Sequence, residues 1–433
     1  MKNEIHFFHD RQPIATLPKE LKQLLLEKGL VYGEIVQKVS FCGMFRVKSA
    51  IYLFLPRSTK INCSTYKDKV NLASLLMQAI ERYGKISKNQ VALSEDGDES
   101  IGLYQLNLMR ELVGDYLNHG IYKRRYQSLK KNNGKTDWHK TINSSVAFPN
   151  EKKQPVYLDL YGKKSYSSYD SEISKIHAQI IRDIFENYAW LLGVNTSTQY
   201  IDVENIPKNY SENEIKISLL HLELRNLYSD RDILLIQNLI KFIEQTSAQN
   251  PSQFIAGLTR FHFAWEHMLG KIFKNKLNIN NKLPIPVYID HDLNPMIAYQ
   301  NSMRTDLVLK DDASEKIIII DAKYYQANSI TTSPGWSDLV KQFFYEKSIN
   351  TIFSGYSIVN LFIFPGSNGK FKEVKMQDRD DKSKYLDNEF PPIQCVYLDP
   401  IFVLNHYVNL KMIDYTKILK CSIGQTFVGF EEL

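Results

Sequence analysis

MRTDLVLKDDASEKIIIIDAKYY, residues 303–325, contains four consecutive isoleucines at 317–320, and such a β-branched run fits a strand buried on both faces within a helix-covered sheet. Asp321 and Lys323 end that strand. Side chains alternate across a strand, so these two point to one face and Ala322 to the other. Fifteen residues before Asp321, Asp306 opens the run 307–309, and a hairpin through 310–315 returns the chain beside it. The shared face then carries two carboxylates and an amine. That set suits Mg2+ beside a water molecule: hard oxygens hold the ion, the ion lowers the pKa of a retained water, and the ammonium orients the nucleophile or steadies charge on a scissile phosphate. One ion or two are compatible with the spacing. The acid-x-Lys tripeptide also occurs at 151–153, 214–216, 373–375 and 380–382, so context decides its meaning. Residues two apart on a helix do not share a face, which removes 214–216, and no apolar strand precedes 380–382. The plain alternative for 321–323 is an ion pair at a strand end.

Upstream, FIAGLTRFHFAWEHMLGKIF (254–273) reads as one helix whose stripe is Phe254, Leu258, Phe261, Trp265, Leu269 and Ile272. Glu266 lies about 100° from the centre of that stripe, at the border of its buried face. A Pro-flanked β run follows at 287–290. The turn formers TSAQNPS, 246–252, mark the start of the last domain. Before them the chain is helical. Ile173, Ile176, Ile180, Ile184, Tyr188 and Leu191 recur at helical spacing up to a capping Gly193, Ser211 and Glu214 have capping-box spacing, and Asp230 starts a further helix to about 245.

The first part of the chain mixes a helix at 17–27, β runs at 30–36, 41–47 and 50–55, a helix at 70–83 and another near 103–117 that stops at Gly120. The expected division is a small α+β domain over 1–118 for DNA recognition or partner binding, a basic arm with a helical middle over 119–251, and an α/β domain over 252–433 with a mixed sheet flanked by helices. Residues 119–140 hold seven Lys or Arg and a single acid, Asp137. Lys123, Arg124, Arg125, Lys130 and Lys131, interleaved with Tyr122, Tyr126 and Trp138, form either a solvated loop or an arm for phosphates or a partner.

Composition bounds these readings. The 433 residues, 43% hydrophobic and 24% charged, exclude a disordered or fibrous chain and favour two or three domains. A net charge of +6 permits a polyanionic partner without requiring one. Four separated cysteines argue against a zinc ribbon or a disulfide framework, which points to a reducing cytoplasm. No window is long and apolar enough for a membrane span, and no secretion signal opens the chain. The ten histidines, including His262 and His267, show no ligand spacing and read as structural or solvated.

Glu266 on a helix, Thr305-Asp306 before a strand, Asp321-Ala-Lys323 ending the next, and a following helix with Asp338, Gln342 and Tyr345 resemble the PD-(D/E)xK nuclease superfamily. Within it, the FAWEHML helix, the DAKYY strand end and the GKTDWHKTI segment at 134–142 resemble the LlaJI-type restriction endonucleases, relatives of McrC. The resemblance implies that Glu266, Asp306 and Asp321 are Mg2+ ligands, that Lys323 is the catalytic lysine, and that Gln342 is a catalytic glutamine near the scissile strand. It further implies double-stranded DNA as substrate and a separate AAA+ GTPase, McrB-like, as partner. Thr305 stands where the superfamily usually has proline, which alters a turn preference rather than a ligand. Nucleotide hydrolysis would need another chain, since no G-x-x-x-x-G-K-[ST] loop is present; Gly366-Ser-Asn-Gly-Lys370 is too short.

The expected function is thus a Mg2+-dependent DNA endonuclease, the cleavage subunit of a GTP-dependent restriction system. Two rivals are a non-catalytic DNA-binding or GTPase-activating subunit that keeps the nuclease fold as a scaffold, and a repair or transposition nuclease with no GTPase partner.

Overall fold

The computed structural model describes residues 4–47, 50–90, 100–192, 203, 205–248, 253–299, 302–367 and 369–422, giving the backbone alone at 86–90, 125, 127, 167 and 419–422. It is a mixed α/β protein that packs as two compact units: Met1–Leu103 together with Ser252–Leu433, and Tyr104–Pro251.

The first unit holds two five-stranded sheets. One runs in the order Glu4–His9, Ala50–Leu55, Cys42–Val47, Gln253–Leu258 and Ser100–Ile101. Its first pair is parallel and the remaining pairs are antiparallel. Phe41, Phe45 and Phe54 meet edge-on at 4.8–5.9 Å beneath it and anchor the local core. Residues 254–258 are thus a strand and not the first turns of a helix; the helix starts only at Phe261 and ends at Ile272. The four-residue apolar steps hid a backbone approach that helix geometry would forbid. Gly43 and Gly257 face each other across the ladder, and a Cβ on Gly257 would lie 2.5 Å from both the Phe41 ring and the Cys42 carbonyl oxygen. This ladder also joins the early and late parts of the chain, so the expected break between 1–118 and 252–433 is not where the packing divides.

The second sheet runs Leu307–Asp311, Lys316–Ala322, Ser357–Pro365, Ile393–Leu398, Glu373–Val374. The expected hairpin is present: Leu307–Asp311 pairs antiparallel with Lys316–Ala322. The next two pairings are parallel, and the Trp336–Ile352 helix makes the crossover between the first two parallel strands. Ile317 to Ile320 are at most 1% exposed, as a strand covered on both faces requires. The Phe261–Ile272 helix packs on the Lys316–Ala322 strand and on the Tyr66–Gln90 and Pro400–Val408 helices through Trp265, Met268, Leu269 and Ile272. These side chains fix the angle at which Glu266 leaves the helix.

In the second unit the Glu172–Leu192 helix buries Ile173, Ile176, Ile180 and Ile184 as its periodicity requires, while Gly193 lies outside the described residues. The Asn213–Leu224 helix starts from Glu212 with no side-chain cap, so the Ser211–Glu214 capping box does not form. The basic segment is not a free arm. Arg124–Lys131 pairs antiparallel with Tyr161–Ser168, which pairs with Lys135–Thr136 in turn, and Tyr126 stacks on Tyr166 at 5.5 Å. Charged side chains in adjacent pairs at 124–125 and 130–131 had masked a strand whose two faces are both polar. Among the described residues, no helix is long and apolar enough to cross a membrane.

Candidate active site

The hairpin builds the site from its open end. Leu307 faces Ile320 at the last rung of the ladder, and Asp306, just before it, comes beside Asp321. The backbone amide of Ala322 donates to Asp306 Oδ2 at 2.9 Å, which fixes that carboxylate against the strand end. Thr305 shows why proline is dispensable here. Its amide and hydroxyl both donate to Asn280 Oδ1, at 3.0 and 2.8 Å, and proline lacks that amide.

Lys323 Nζ lies 2.7 Å from Asp321 Oδ2 and 2.7 Å from Asp338 Oδ1, and the Lys323 and Asp321 side chains are each 13% exposed. Burial opposes the ammonium charge, yet Asp321 and Asp338 outweigh it and raise the lysine's pKa. Asp321 is pushed up to about 7 by burial and by Asp306, against the pull of Lys323. Burial and Glu266 likewise raise Asp306, and the two aspartates stand close enough to share a proton. Glu266 is raised by burial and Asp321, with Arg304 and Lys323 opposing. Three sequence-predicted acids and the lysine thus feel one another in one half-buried pocket.

Gln342 behaves differently. It is 0% exposed, and its Nε2 donates to the Ile319 carbonyl at 3.2 Å, so it ties the crossover helix to the strand backbone. One turn earlier on that helix, Asp338 holds Lys323, and Tyr345 donates to the Arg304 carbonyl at 2.7 Å. The sequence signal for Asp338 was its place four residues before Gln342, on the same helix face.

The donor set is hard oxygen. Among the described residues no three His, Cys, Asp or Glu side chains are grouped closely enough to hold an ion; Asp306 and Asp321 are the carboxylates that would contribute to an open site. The crowding of like charges that raises both aspartates is what a divalent cation would relieve. The two histidines are packing groups: burial lowers His262, and His267, lowered to about 4, lies edge-on to Tyr83 and Tyr407.

The basic residues of the second unit are partly engaged. Lys123 lies over the Tyr169 ring at 4.6 Å, Arg124 pairs with Glu223 at 3.2 Å, and Lys131 pairs with Asp159 at 3.2 Å. Lys130 is exposed, and the Arg125 side chain lies outside the described residues. The GKTDWHKTI segment proves to be a structural unit: Gly134 makes the turn at φ 92°, Asp137 caps the Trp138–Ser144 helix and pairs with Lys163, and Thr141 is buried. Trp138, 58% exposed, stands outside it with Ile142.

The LlaJI restriction endonuclease family matches residues 41–399. The type II restriction enzyme BsuMI component YdjA of Bacillus subtilis (strain 168) is 24% identical over 420 residues, covering 92% of this chain and 87% of that protein. A chain from the half-complex of Thermococcus gammatolerans McrB AAA+ hexamers with bound McrC aligns at a TM-score of 0.40 and 11% identity, covering 94% of this chain and 99% of that one. The family match begins in the N-terminal sheet, crosses the helical unit and takes in the hairpin with Asp306, Asp321 and Lys323, so the chain belongs to the LlaJI restriction endonuclease family.

Proposed function

We propose that this protein is a Mg2+-dependent DNA endonuclease of the PD-(D/E)xK type and the cleavage subunit of a restriction system driven by a separate McrB-like AAA+ GTPase. The observation that carries the reading is the Asp306–Asp321 pair at the mouth of a buried hairpin, with Lys323 held against it at 2.7 Å. Asp306 and Asp321 would hold the ion, with Glu266 beside them. When bound, the ion supplies a more acidic water and charge neutralisation at the scissile phosphate.

The chain's own residues do the rest. The Ala322 amide and the strand register fix the aspartates, so little reorganisation is needed when DNA arrives. Lys323 stays protonated, and Asp338 keeps its ammonium at the mouth, where it can donate to a phosphate oxygen as negative charge grows there. Gln342 positions the crossover helix that brings Asp338 in. The partner and the GTP requirement rest on the resemblance carried by residues 134–142 and on membership of the restriction family.

Plasmid DNA incubated with the protein, Mg2+, GTP and an AAA+ GTPase encoded beside it should be cut, and EDTA should stop the cutting. Cutting that persists in EDTA would remove the metal from the reading, and cutting undiminished in Asp321→Ala would remove the site.

A further inference from the structure

Asp306 reaches the site from a segment whose side chains alternate between core and solvent. Met303 packs on the cluster of Ile279, Ile317, Ile319 and Ile349, and Ser348 Oγ lies 3.5 Å from its sulfur. Thr305 is 4% exposed; besides its own two bonds to Asn280 Oδ1, its carbonyl accepts from Asn280 Nδ2 at 3.1 Å. Arg304, between these two anchors, and Asp306, beyond them, are both exposed. Two residues span at most about 7 Å of backbone, so the arginine leaves the chain close to the carboxylate.

The Arg304 backbone is fixed while its charge is left available. Its carbonyl accepts from the Tyr345 hydroxyl at 2.7 Å, a bond that starts on the crossover helix carrying Asp338. Its guanidinium makes no hydrogen bond and no ion pair with any described residue. It nevertheless stands near enough to Glu266 to oppose the rise of that carboxyl. A merely solvated arginine needs no such anchoring on either side of it.

Lys323 alone is a poor grip for a phosphate. An ammonium has three donors, and Asp321 and Asp338 engage two of them at 2.7 Å. A phosphodiester presents two non-bridging oxygens. Charge points the same way: Glu266, Asp306, Asp321 and Asp338, when ionised, outweigh one ammonium and one divalent ion by a single charge, and an incoming phosphate adds another. A guanidinium would offset that excess, and its parallel N–H groups match two phosphate oxygens.

We infer that Arg304 grips the phosphodiester on which Lys323 and the aspartates act, donating to its non-bridging oxygens from the solvent side, with Tyr345 as the positioning residue that holds the arginine's backbone in place. The identity of that phosphate rests on the nuclease reading; the grip itself is a property of DNA binding and is measured without cutting.

The test is binding of a short DNA duplex to the full chain by fluorescence anisotropy, without Mg2+, across a salt series. Arg304→Ala should weaken binding at least about tenfold on every sequence, flatten the slope of log affinity against log salt by about 0.9, and leave the melting temperature in place. Arg304→Lys should restore the slope but not the whole affinity, since an ammonium lacks the fork. Tyr345→Phe should weaken binding less and leave the slope unchanged. The loss in Arg304→Ala should be as large in a Glu266→Gln background; a loss that disappears there would make Arg304 a counter-charge for Glu266 and overturn the inference. Unchanged affinity and slope in Arg304→Ala would overturn it too, as would a wild-type chain that does not bind the duplex at low salt. Plasmid cutting in the presence of the partner keeps the two readings apart. A protein that binds through Arg304 and cuts nothing sinks only the nuclease reading, whereas a protein that cuts, with Arg304→Ala binding DNA as the wild type does, sinks only this one.

Discussion

At the scale of single residues, the site is a contest between burial and pairing. Lys323 is held by two carboxylates, while Asp306 and Asp321 repel one another across the hairpin end, and the outcome is a lysine that stays charged beside acids that resist ionising. Asp306→Ala or Asp321→Ala should lower kcat for plasmid cutting by at least about a hundredfold with the fold intact, and Lys323→Ala should cost about 10²–10³-fold, the range for removing one donor to developing charge. Glu266→Gln should cost less, because water can replace a ligand at the border of the site. Asp321 is raised to about 7 by burial and Asp306, so Mg2+ must displace a proton below that pH. Cleavage should therefore rise with pH through about 7 and level off above. Stability of the metal-free protein should run the other way: the folded state binds more protons than the unfolded state between the ordinary Asp range and about 7, so stability falls across that window. Asp306→Asn removes the like charge and should move the acid limb of Mg2+ binding to lower pH; an unmoved limb would show that the pair is not coupled. The hairpin that brings Asp306 and Asp321 together was legible in the sequence because a β-branched run, a two-residue alternation and a short turn are all local.

At the scale of elements, the crossover helix decides whether Lys323 is aimed. Trp336–Ile352 carries Asp338 toward the lysine and Gln342 into the sheet, where its amide meets the Ile319 carbonyl two residues before Asp321. The resemblance implies a catalytic glutamine at 342; its hydrogen bond to the Ile319 carbonyl supports a positioning role, which a variant can test. Gln342→Met keeps the volume and gives up one hydrogen bond to a buried carbonyl, which should cost about 1–3 kcal/mol of stability. Its kcat should fall while KM for DNA holds, and Asp338→Asn, which weakens the grip on Lys323, should reproduce that pattern without the stability loss. A Gln342→Met variant whose KM rises while kcat and melting temperature stay put would return Gln342 to the DNA surface. The 253–258 segment was misread for an instructive reason. Its apolar steps of four and three suit a helix, and only the glycine ladder against Cys42–Val47, some two hundred residues away, reveals a strand. The basic strand was missed because alternation between two polar faces leaves no hydrophobic signal.

At the scale of the whole molecule, the chain order and the packing disagree in an informative way. Ile101 pairs with Gly257 and Ser100 with Leu258, so the chain leaves the first unit at one strand of a ladder and returns on its neighbour. Residues 104–251 are thus an insertion in what is otherwise a hairpin connection, and the sequence could not show this because pairing across so long a gap leaves no local trace. A fragment of residues 1–118 would lack Gln253–Leu258, the inner strand that covers the Cys42–Val47 edge, and should aggregate when expressed alone. Joining residue 103 to residue 253 through a short Gly-Asn turn should instead give a folded protein, because the ends to be joined lie on adjacent strands: a Cβ on Gly102 would touch the Ile255 carbonyl. That shortened chain keeps Glu266, Asp306, Asp321 and Lys323 and should still bind Mg2+, read by calorimetry, at the affinity of the full chain. It loses Lys130, Trp138 and Ile142, three exposed groups of the inserted unit, and should no longer raise GTP hydrolysis by an AAA+ partner. The inserted unit, expressed by itself, should melt cooperatively on its own hydrophobic core around Ile176, Ile180 and Ile184. If the shortened chain stimulates GTP hydrolysis as fully as the intact protein, the partner docks on the unit that holds the hairpin, and the basic strand with its neighbouring Trp138 has another purpose.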